Sequence, residues 1–475
     1  MSPPNILLVV LDTARAARVY DSDLMPNLNR FASDAATYRN AFTTAPWSLP
    51  SHASLFTGRY TSDHRTHANA PQFTPETPTL ASRLGDAGYE TLAYSNNFWV
   101  SPSFGFDTGF DEYRVGWELF DGGEGFAEVG KEHNNPLDQL RAFAPKLRSR
   151  NGLKTLANAL FLVTLWDEYD SGAWRTTRRA KRWIRDSDDP FFMFLNYHEP
   201  HLEYDPPSDY TAEVSPKGVA PPDAEDVNQE AWAYVTGEVE MDDSDFERLR
   251  TLYDGELRYL DKRLGELFDT LAAEGVLEDT LVVVTSDHGE NLGDHDLMAH
   301  QYCLFDTLLN VPLIVRGPGV ESGVRDGLVE LRDLYDTLLD AAGCETTLPP
   351  ERDIRGDPDR DAVAAEYWTP PCPTAELRAT YGELPERVQK FDRGLQAVRT
   401  RRWKLVVGTD DSCQLYNLLE DPDELEEVSE SYPTVVEELT ESIETRFDQI
   451  STDDSRTDPD VSPTISNRLE DLGYI

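Results

Sequence analysis

The run Thr280-Leu-Val-Val-Val-Thr285 passes without a break into Ser286 to His300, SDHGENLGDHDLMAH. An apolar, β-branched segment of this length has the make-up of a strand buried on both faces. A strand of that kind belongs to an open α/β sheet, and such sheets present ligands at their carboxyl edge. The chain has only 9 histidines, and His288, His295 and His300 lie in this one loop beside Asp287, Glu290, Asp294 and Asp296. An α/β fold with a metal-assisted site at the sheet edge is the architecture most compatible with this pattern.

The same rhythm recurs along the chain. Asn5 to Leu11 reads as a buried strand ending at Asp12, and Pro26 to Ala36 as a helix. Thr79 to Ala87 reads as a helix stopped by Gly88, with Glu90 to Tyr94 as the next strand. Residues 100 to 135, rich in glycine and aromatics, predict an irregular lobe. Trp174 to Arg185 has the pattern of a helix, and Pro190 to Tyr197 that of a buried strand ending at His198. A polar stretch runs from Pro206 to about Asp242, and Asp245 to Ala273 predicts one long helix, with Gly255 and Gly265 weakening its continuity. Val311 to Val315 is a further short strand and Leu331 to Ala342 a helix. After Pro349-Pro350 the rhythm changes: Gln396 to Thr400 and Trp403 to Val407 predict antiparallel strands, Pro433 to Gln449 a helix, and Ser451 to Pro463 a mobile segment. Residues 1–350 are therefore expected to form the catalytic domain and 351–475 a smaller C-terminal subdomain.

The formal charge is −45, with acidic residues spread through the whole chain rather than gathered in a tail. Such a surface resembles that of proteins from halophilic archaea and other microbes of molar salt, where the Debye length falls to about 3 Å. No basic stripe is present to neutralise phosphates, which argues against nucleic acid as a partner. The N-terminal apolar run is too short for a signal peptide and no segment is long enough to span a membrane, so a cytoplasmic protein without a membrane partner is expected. Cys303, Cys344, Cys372 and Cys413 form no CxxC pair and read as ordinary thiols. Oligomeric state is not legible.

Four segments carry candidate chemistry. Asp12, at the end of the first strand, offers a carboxylate for a hard or borderline cation, and Arg15 follows on the same loop as a possible anion holder. In Ala45 to Gly58 two prolines stiffen the approach to Ser48, and Ser51 reads as the cap of a helix starting at His52. A helix N-terminus suits an anionic substrate, and Ser48 stands where an attacking oxygen would meet it. His198-Glu-Pro-His201 supplies ligands, proton donors or substrate-oxygen donors. Asp287 and His288 form a mixed oxygen and nitrogen set suited to zinc, manganese or a related ion. His295 and His300 are split between support and substrate orientation. His64 and His67 have no assigned role, and His133 reads as a surface residue.

Taken together, Asn5 to Arg15, Met25 to Ala32, Ser48 to Gly58, His198 to His201, Tyr253 to Glu256, Ser286 to Glu290, Val311 to Val315 and Leu415 to Leu425 resemble the sulfatase family of the alkaline phosphatase superfamily. The resemblance runs nearly end to end. It implies an α/β/α sandwich with a smaller C-terminal α+β subdomain. It also implies a metal-dependent hydrolase of a sulfate ester, acting on a small or glycan-linked anionic ester. By position, Asp12, Asp287 and His288 would hold one divalent ion (calcium, zinc or manganese) together with the oxygen of Ser48. Ser48 would be the nucleophile, activated by the metal, and water would later cleave the covalent intermediate. His201 and His300 would contact the anionic group or protonate the leaving oxygen, with His198 as their partner. His300 stands where many sulfatases use a lysine.

Three departures from the family pattern bear on mechanism. The arginine that guides conversion of the nucleophile to formylglycine is replaced by His52, which speaks for an unmodified Ser48. The second of two adjacent metal aspartates is replaced by Thr13, which lowers the ligand charge. No second complete Asp/His set is evident, against a two-metal phosphatase. The alternative reading is a phosphomonoester or phosphodiester hydrolase, or a phosphotransferase, using plain Ser48.

Overall fold

The structure, a computed structural model, describes residues 3–118, 154, 170–187, 190–300, 302–356, 358, 360–447 and 450. Its first six strands are β1 (Asn5–Leu11), β2 (Ala36–Phe42), β3 (Glu90–Ser95), β4 (Glu112–Val115), β5 (Phe191–Tyr197) and β6 (Thr280–Thr285). β7 (Asn291–Leu292) and β8 (Met298–Ala299) form a small separate ribbon, and β9 (Asn310–Arg316), β10 (Gly323–Arg325) and β11 (Val329–Glu330) return to the main sheet. The nine-stranded sheet runs β10-β2-β9-β6-β1-β5-β3-β4, with β11 also on β2. This is the mixed α/β architecture implied by the family resemblance.

The centre of the sheet explains the position of the site. β1 lies between β5 and β6 and is parallel to both, with Val10 opposite Asn196 on one side and Thr285 on the other. Every residue of β5 and β6 is buried, as expected of strands covered on both faces. Parallel strands in matched register end at the same edge. The loops beginning at Asp12, His198 and Ser286 therefore emerge side by side, although they are far apart in sequence.

Two groups of helices pack on the sheet. One contains Pro26–Ala32, Ala173–Asp186 and the long helix Asp243–Ala273; the other contains Ser48–Thr57, Leu80–Asp86 and Asp333–Ala341. The long helix is continuous over 31 residues. Its two glycines serve close approach: a Cβ at Gly255 would come within 2.8 Å of Pro206, and one at Gly265 within 2.9 Å of Asn27. The expected Pro26–Ala36 helix stops at Ala32, and the chain turns directly into β2, which the sequence reading missed. Two short helices, Ser208–Val214 and Ala231–Thr236, occupy the stretch expected to be merely polar.

Beyond the main sheet, β12 (Ala362–Tyr367), β13 (Leu395–Thr400), β14 (Trp403–Gly408) and β15 (Cys413–Asn417) form an antiparallel sheet in sequential order. Leu439, Ile443 and Phe447 of the following segment pack with Val398, Leu405 and Leu415 into a second, smaller core. Lys404 of β14, fully buried, joins this unit to the main body through Asp306 at 2.7 Å and also pairs with Glu424, which follows β15, at 2.6 Å. The four cysteines are free. His133, residues 119–135 of the expected irregular lobe and the 451–463 segment lie outside the described residues; the described part of the lobe contains β4. Among the described residues no helix is long and apolar enough to cross a membrane.

Candidate active site

Asp12, Asp287 and His288 converge at the sheet edge, and one ligand atom from each lies within 4.8 Å of the others. All three are fully buried. Their backbone is tightly set. A Cβ at Gly289 would stand 2.1 Å from the carbonyl oxygen of Thr307, so the Asp-His-Gly turn needs a glycine to pass that close. Ser286 Oγ donates to the His288 carbonyl at 2.6 Å and accepts from the Ala14 amide at 2.9 Å, tying the β6 loop to the β1 loop. Thr13, in the left-handed region at φ 58°, donates its amide to Asp287 Oδ1 at 3.3 Å and its hydroxyl to the Pro200 carbonyl at 2.9 Å.

The donor set fits a divalent cation. His288 Nδ1 donates to the Gly289 carbonyl at 2.9 Å, which fixes the tautomer and leaves the Nε2 lone pair facing the carboxylates. Burial first, then the neighbouring His300, push the His288 pKa down to about 4, so the ring is neutral. Asp287 Oδ2 is buried and, among the described residues, accepts no hydrogen bond. Desolvation, then repulsion from Asp12, push the Asp287 pKa up to about 7, and desolvation raises that of Asp12 as well. Two buried carboxylates facing each other without a fixed cation are costly to ionise, and a bound divalent ion would reverse that cost.

Ser48 is the first residue of the Ser48–Thr57 helix, with Trp47 at the N-cap. This corrects the expected start at His52: Ser51 lies inside the helix and donates its hydroxyl to the Asp287 carbonyl at 2.7 Å instead of capping. Pro50 is accommodated in the first turn, where no helical N–H is required. Ser48 Oγ stands 3.1 Å from His288 Nε2 and 3.5 Å from Asp12 Oδ1, and accepts from Asn97 Nδ2 at 3.0 Å. His52 donates from Nδ1 to the Ser48 carbonyl at 2.9 Å, and its Nε2 accepts from Asn196 at 3.1 Å. Burial lowers the His52 pKa, and the hydrogen bonds match a neutral ring.

A histidine cluster borders the serine. His198 Nδ1 lies 3.6 Å from Asp12 Oδ2, and its ring stacks on His201 with centroids 4.4 Å apart. His300 lies 5.1 Å from His201 and 4.4 Å from His288, centroid to centroid. Burial pushes the pKa of both His201 and His300 down to about 3. Glu290, itself pushed up to about 7 by burial, lies 3.4 Å from His300 Nδ1 and accepts from Tyr204 at 3.4 Å.

Other predicted residues are placed elsewhere. The guanidinium of Arg15 is engaged by Asp294 at 2.9 and 3.2 Å, and Arg15 lines a separate cavity of about 350 Å³ with Asp306 and Arg399. Arg15, expected from the sequence to hold the substrate anion, is thus paired with a carboxylate in this structure. His295 stacks on Phe305 at 3.6 Å, and His64 is taken up by Ser54 and Thr66. Two residues escaped the sequence reading. Glu290 reads from the sequence only as a loop neighbour of Asp287 and His288. Asn97 carried no local signal, because asparagine after a strand is ordinary turn chemistry.

The sequence matches the Sulfatase family model over residues 4–344. The chain belongs to the sulfatase family. It is 26% identical over 462 residues to the choline-sulfatase of Rhizobium meliloti (strain 1021), covering 92% of this chain and 84% of that protein. It is 23% identical to arylsulfatase K of Bos taurus, covering 93% of this chain and 81% of that protein. Among solved structures, the phosphonate monoester hydrolase of Agrobacterium radiobacter superposes with a TM-score of 0.66 at 22% identity, over 93% of this chain and 95% of that one. The last likeness is one of fold. Family membership supports hydrolase chemistry on sulfate esters, and the Asp12, Asp287, His288 cluster is where this sulfatase-family chain can hold a metal.

Proposed function

We propose that this chain hydrolyses a small or glycan-linked sulfate ester at a one-metal site with Ser48 as nucleophile. The observation that carries the reading is the placement of Ser48 Oγ at a helix N-terminus, within 3.5 Å of Asp12 Oδ1 and 3.1 Å of His288 Nε2. Asp12, Asp287 and His288 would hold a divalent ion, whose Lewis acidity would make the Ser48 hydroxyl more acidic and offset charge on the ester. Ser48 attacks the sulfur, the helix N-terminus and the buried histidines face the ester oxygens, and the leaving oxygen takes a proton from His201 or His300. Burial disfavours charge on both rings, so the anionic ester is what brings a proton onto them. Water then cleaves the serine ester. Arg15 supports the loop through Asp294 and stands outside this sequence of steps.

The likeness to a choline-sulfatase favours a small organic sulfate. A second reading, hydrolysis of a phosphate mono- or diester or transfer of its phospho group by unmodified Ser48, is favoured by His52. Its neutral ring fills the place of the modification-guiding arginine and hydrogen-bonds the Ser48 carbonyl. The two readings separate by experiment. Intact mass is expected to show the unconverted Ser48 that both readings use, whereas formylglycine is lighter by two hydrogens. Aryl sulfate, phosphate monoester and phosphate diester, offered in high salt with a panel of divalent ions, then identify the ester class. No turnover of any of them overturns the enzyme assignment.

For the metal, manganese or zinc is expected ahead of calcium. Thr13 removes one carboxylate and His288 contributes nitrogen, and that combination suits a borderline cation better than a hard one. Equilibrium binding to metal-stripped protein checks this: manganese or zinc is expected to bind at least about tenfold tighter than calcium, about 1.4 kcal/mol. The Thr13→Asp variant is expected to narrow the gap, and tighter calcium binding by the unaltered protein defeats the assignment.

A further inference from the structure

Asn97 lies just past β3, almost fully buried, in the loop beside Ser48. Its amide orientation is decided by the backbone. The Trp99 N–H, which can only donate, reaches Asn97 Oδ1 at 2.8 Å, so the oxygen is the end turned to Trp99 and Nδ2 is the end turned to the site. Nδ2 has two hydrogens and two acceptors, Asp12 Oδ2 and, at 3.0 Å, Ser48 Oγ. Asp12 Oδ2 is thereby engaged, while Oδ1 faces Ser48 at 3.5 Å and His288 Nε2 at 3.8 Å. One side chain thus orients a metal carboxylate and donates to the attacking oxygen.

We propose that Asn97 is a catalytic residue: its Nδ2–H donates to Ser48 Oγ as that oxygen gives up its proton and attacks the ester. The inference rests on Ser48 being the nucleophile. As the Oγ–H proton passes to water, negative charge grows on Oγ, and the hydrogen bond from Asn97 becomes charge-assisted and stronger. Oγ then bonds to the sulfur or phosphorus, the bond to the leaving oxygen breaks, and that oxygen is protonated. Water later cleaves the serine ester and restores the hydroxyl. Asn97 keeps its own protons throughout. Its Oδ1 is taken by Trp99 and its amide nitrogen is not basic, so it serves as an oxyanion donor and not as a base. The donor is buried and oriented before the reaction, which is the condition under which such a bond favours the transition state over the ground state.

The test uses Asn97→Ala and the isosteric Asn97→Asp in the full-length, metal-loaded protein, with whichever aryl ester the unaltered chain hydrolyses fastest. Asn97→Ala is expected to lower kcat about 10²- to 10³-fold, with metal content retained, KM changed less than kcat, and the acid limb of the kcat–pH profile moved to higher pH because the alkoxide has lost its donor. Asn97→Asp keeps the acceptor for Trp99 but turns a carboxylate towards Asp12 and Ser48. It is expected to hold metal at least as well as the unaltered protein and still lose kcat, which divides metal retention from catalysis even where the alanine variant folds poorly. Either of two results overturns the proposal: kcat of Asn97→Asp within about threefold of the unaltered protein, or activity of both variants restored by excess metal, which reduces Asn97 to a support for Asp12. If Ser48→Ala keeps full activity, the nucleophile assignment has failed. If Ser48→Ala is inactive while both Asn97 variants work normally, only the present inference has failed.

Discussion

Ser48→Ala is expected to lose turnover by about 10⁴-fold or more, the scale seen when a covalent nucleophile is removed from a preorganised site. The fold should survive, because the hydroxyl meets side chains of the same buried site, Asn97, His288 and Asp12 among them, and the loss of one buried oxygen opens little space. Metal content should fall modestly at most, since Asp12, Asp287 and His288 remain. Hydrolysis assays on protein of matched metal stoichiometry check this. A variant retaining more than about a tenth of the original kcat, free of contaminating activity, removes Ser48 from the nucleophile position.

Asp287→Asn is expected to abolish metal binding and activity together while making the metal-free protein more stable at neutral and alkaline pH. The sign follows from the pKa. Burial and the facing Asp12 raise the folded-state pKa of Asp287 to about 7 from an ordinary value of 3.8. The metal-free folded state therefore holds its proton more tightly than the unfolded chain, and stability falls as pH rises through the window from about 4 to about 7. Asparagine removes that ionisation and can still accept at Oδ1 from the amides of Thr13 and His288, bonds of 3.3 and 3.0 Å in the unaltered protein. Thermal melts of metal-free protein at pH 5 and pH 8 should show the variant ahead at pH 8 with the gap narrowing at pH 5. In the presence of metal the order should invert, because only the unaltered protein gains from binding. Retained metal stoichiometry in Asp287→Asn sinks the ligand role. An equal pH dependence in both proteins sinks the electrostatic account of it.

Such trade-offs are typical of functional sites, where groups are held in surroundings that oppose their charge until a ligand arrives. Here the cost is concentrated in one layer at the edge of the sheet. The histidines beside it, His201 and His300, are also kept neutral by burial.

Much of this was legible in the chain itself. The largely apolar runs of β1, β5 and β6 read as strands covered on both faces, and each is followed by a residue of the candidate site. The long Asp243–Ala273 helix was legible from its apolar spacing, but its glycines were not: their reason is the approach of Pro206 and Asn27 from distant segments. β2, β12 and β15 went unread, since short strands mixing polar and apolar residues resemble loops until partners are known. Ser51 reads as a helix cap because serine after proline commonly is one, yet the loop of Asp287 offers its hydroxyl a carbonyl that no local pattern can reveal.

The sequence by itself determined the residue types of the candidate metal cluster and their placement after buried strands, because burial on both faces demands apolar runs and leaves the carboxylates and imidazoles to the loops that follow. The tertiary structure alone decided which of those polar residues meet. β1 between β5 and β6 in parallel register brings Asp12, His198 and Asp287 to one edge, and β3, paired with β5, brings Asn97 beside Ser48. The tertiary structure also turned Arg15 towards Asp294 and His295 onto Phe305. The physical reason is that a strand's own sequence specifies its burial but not its neighbours: pairing order and register arise from packing the whole sheet, and only then do side chains hundreds of residues apart come within hydrogen-bond range.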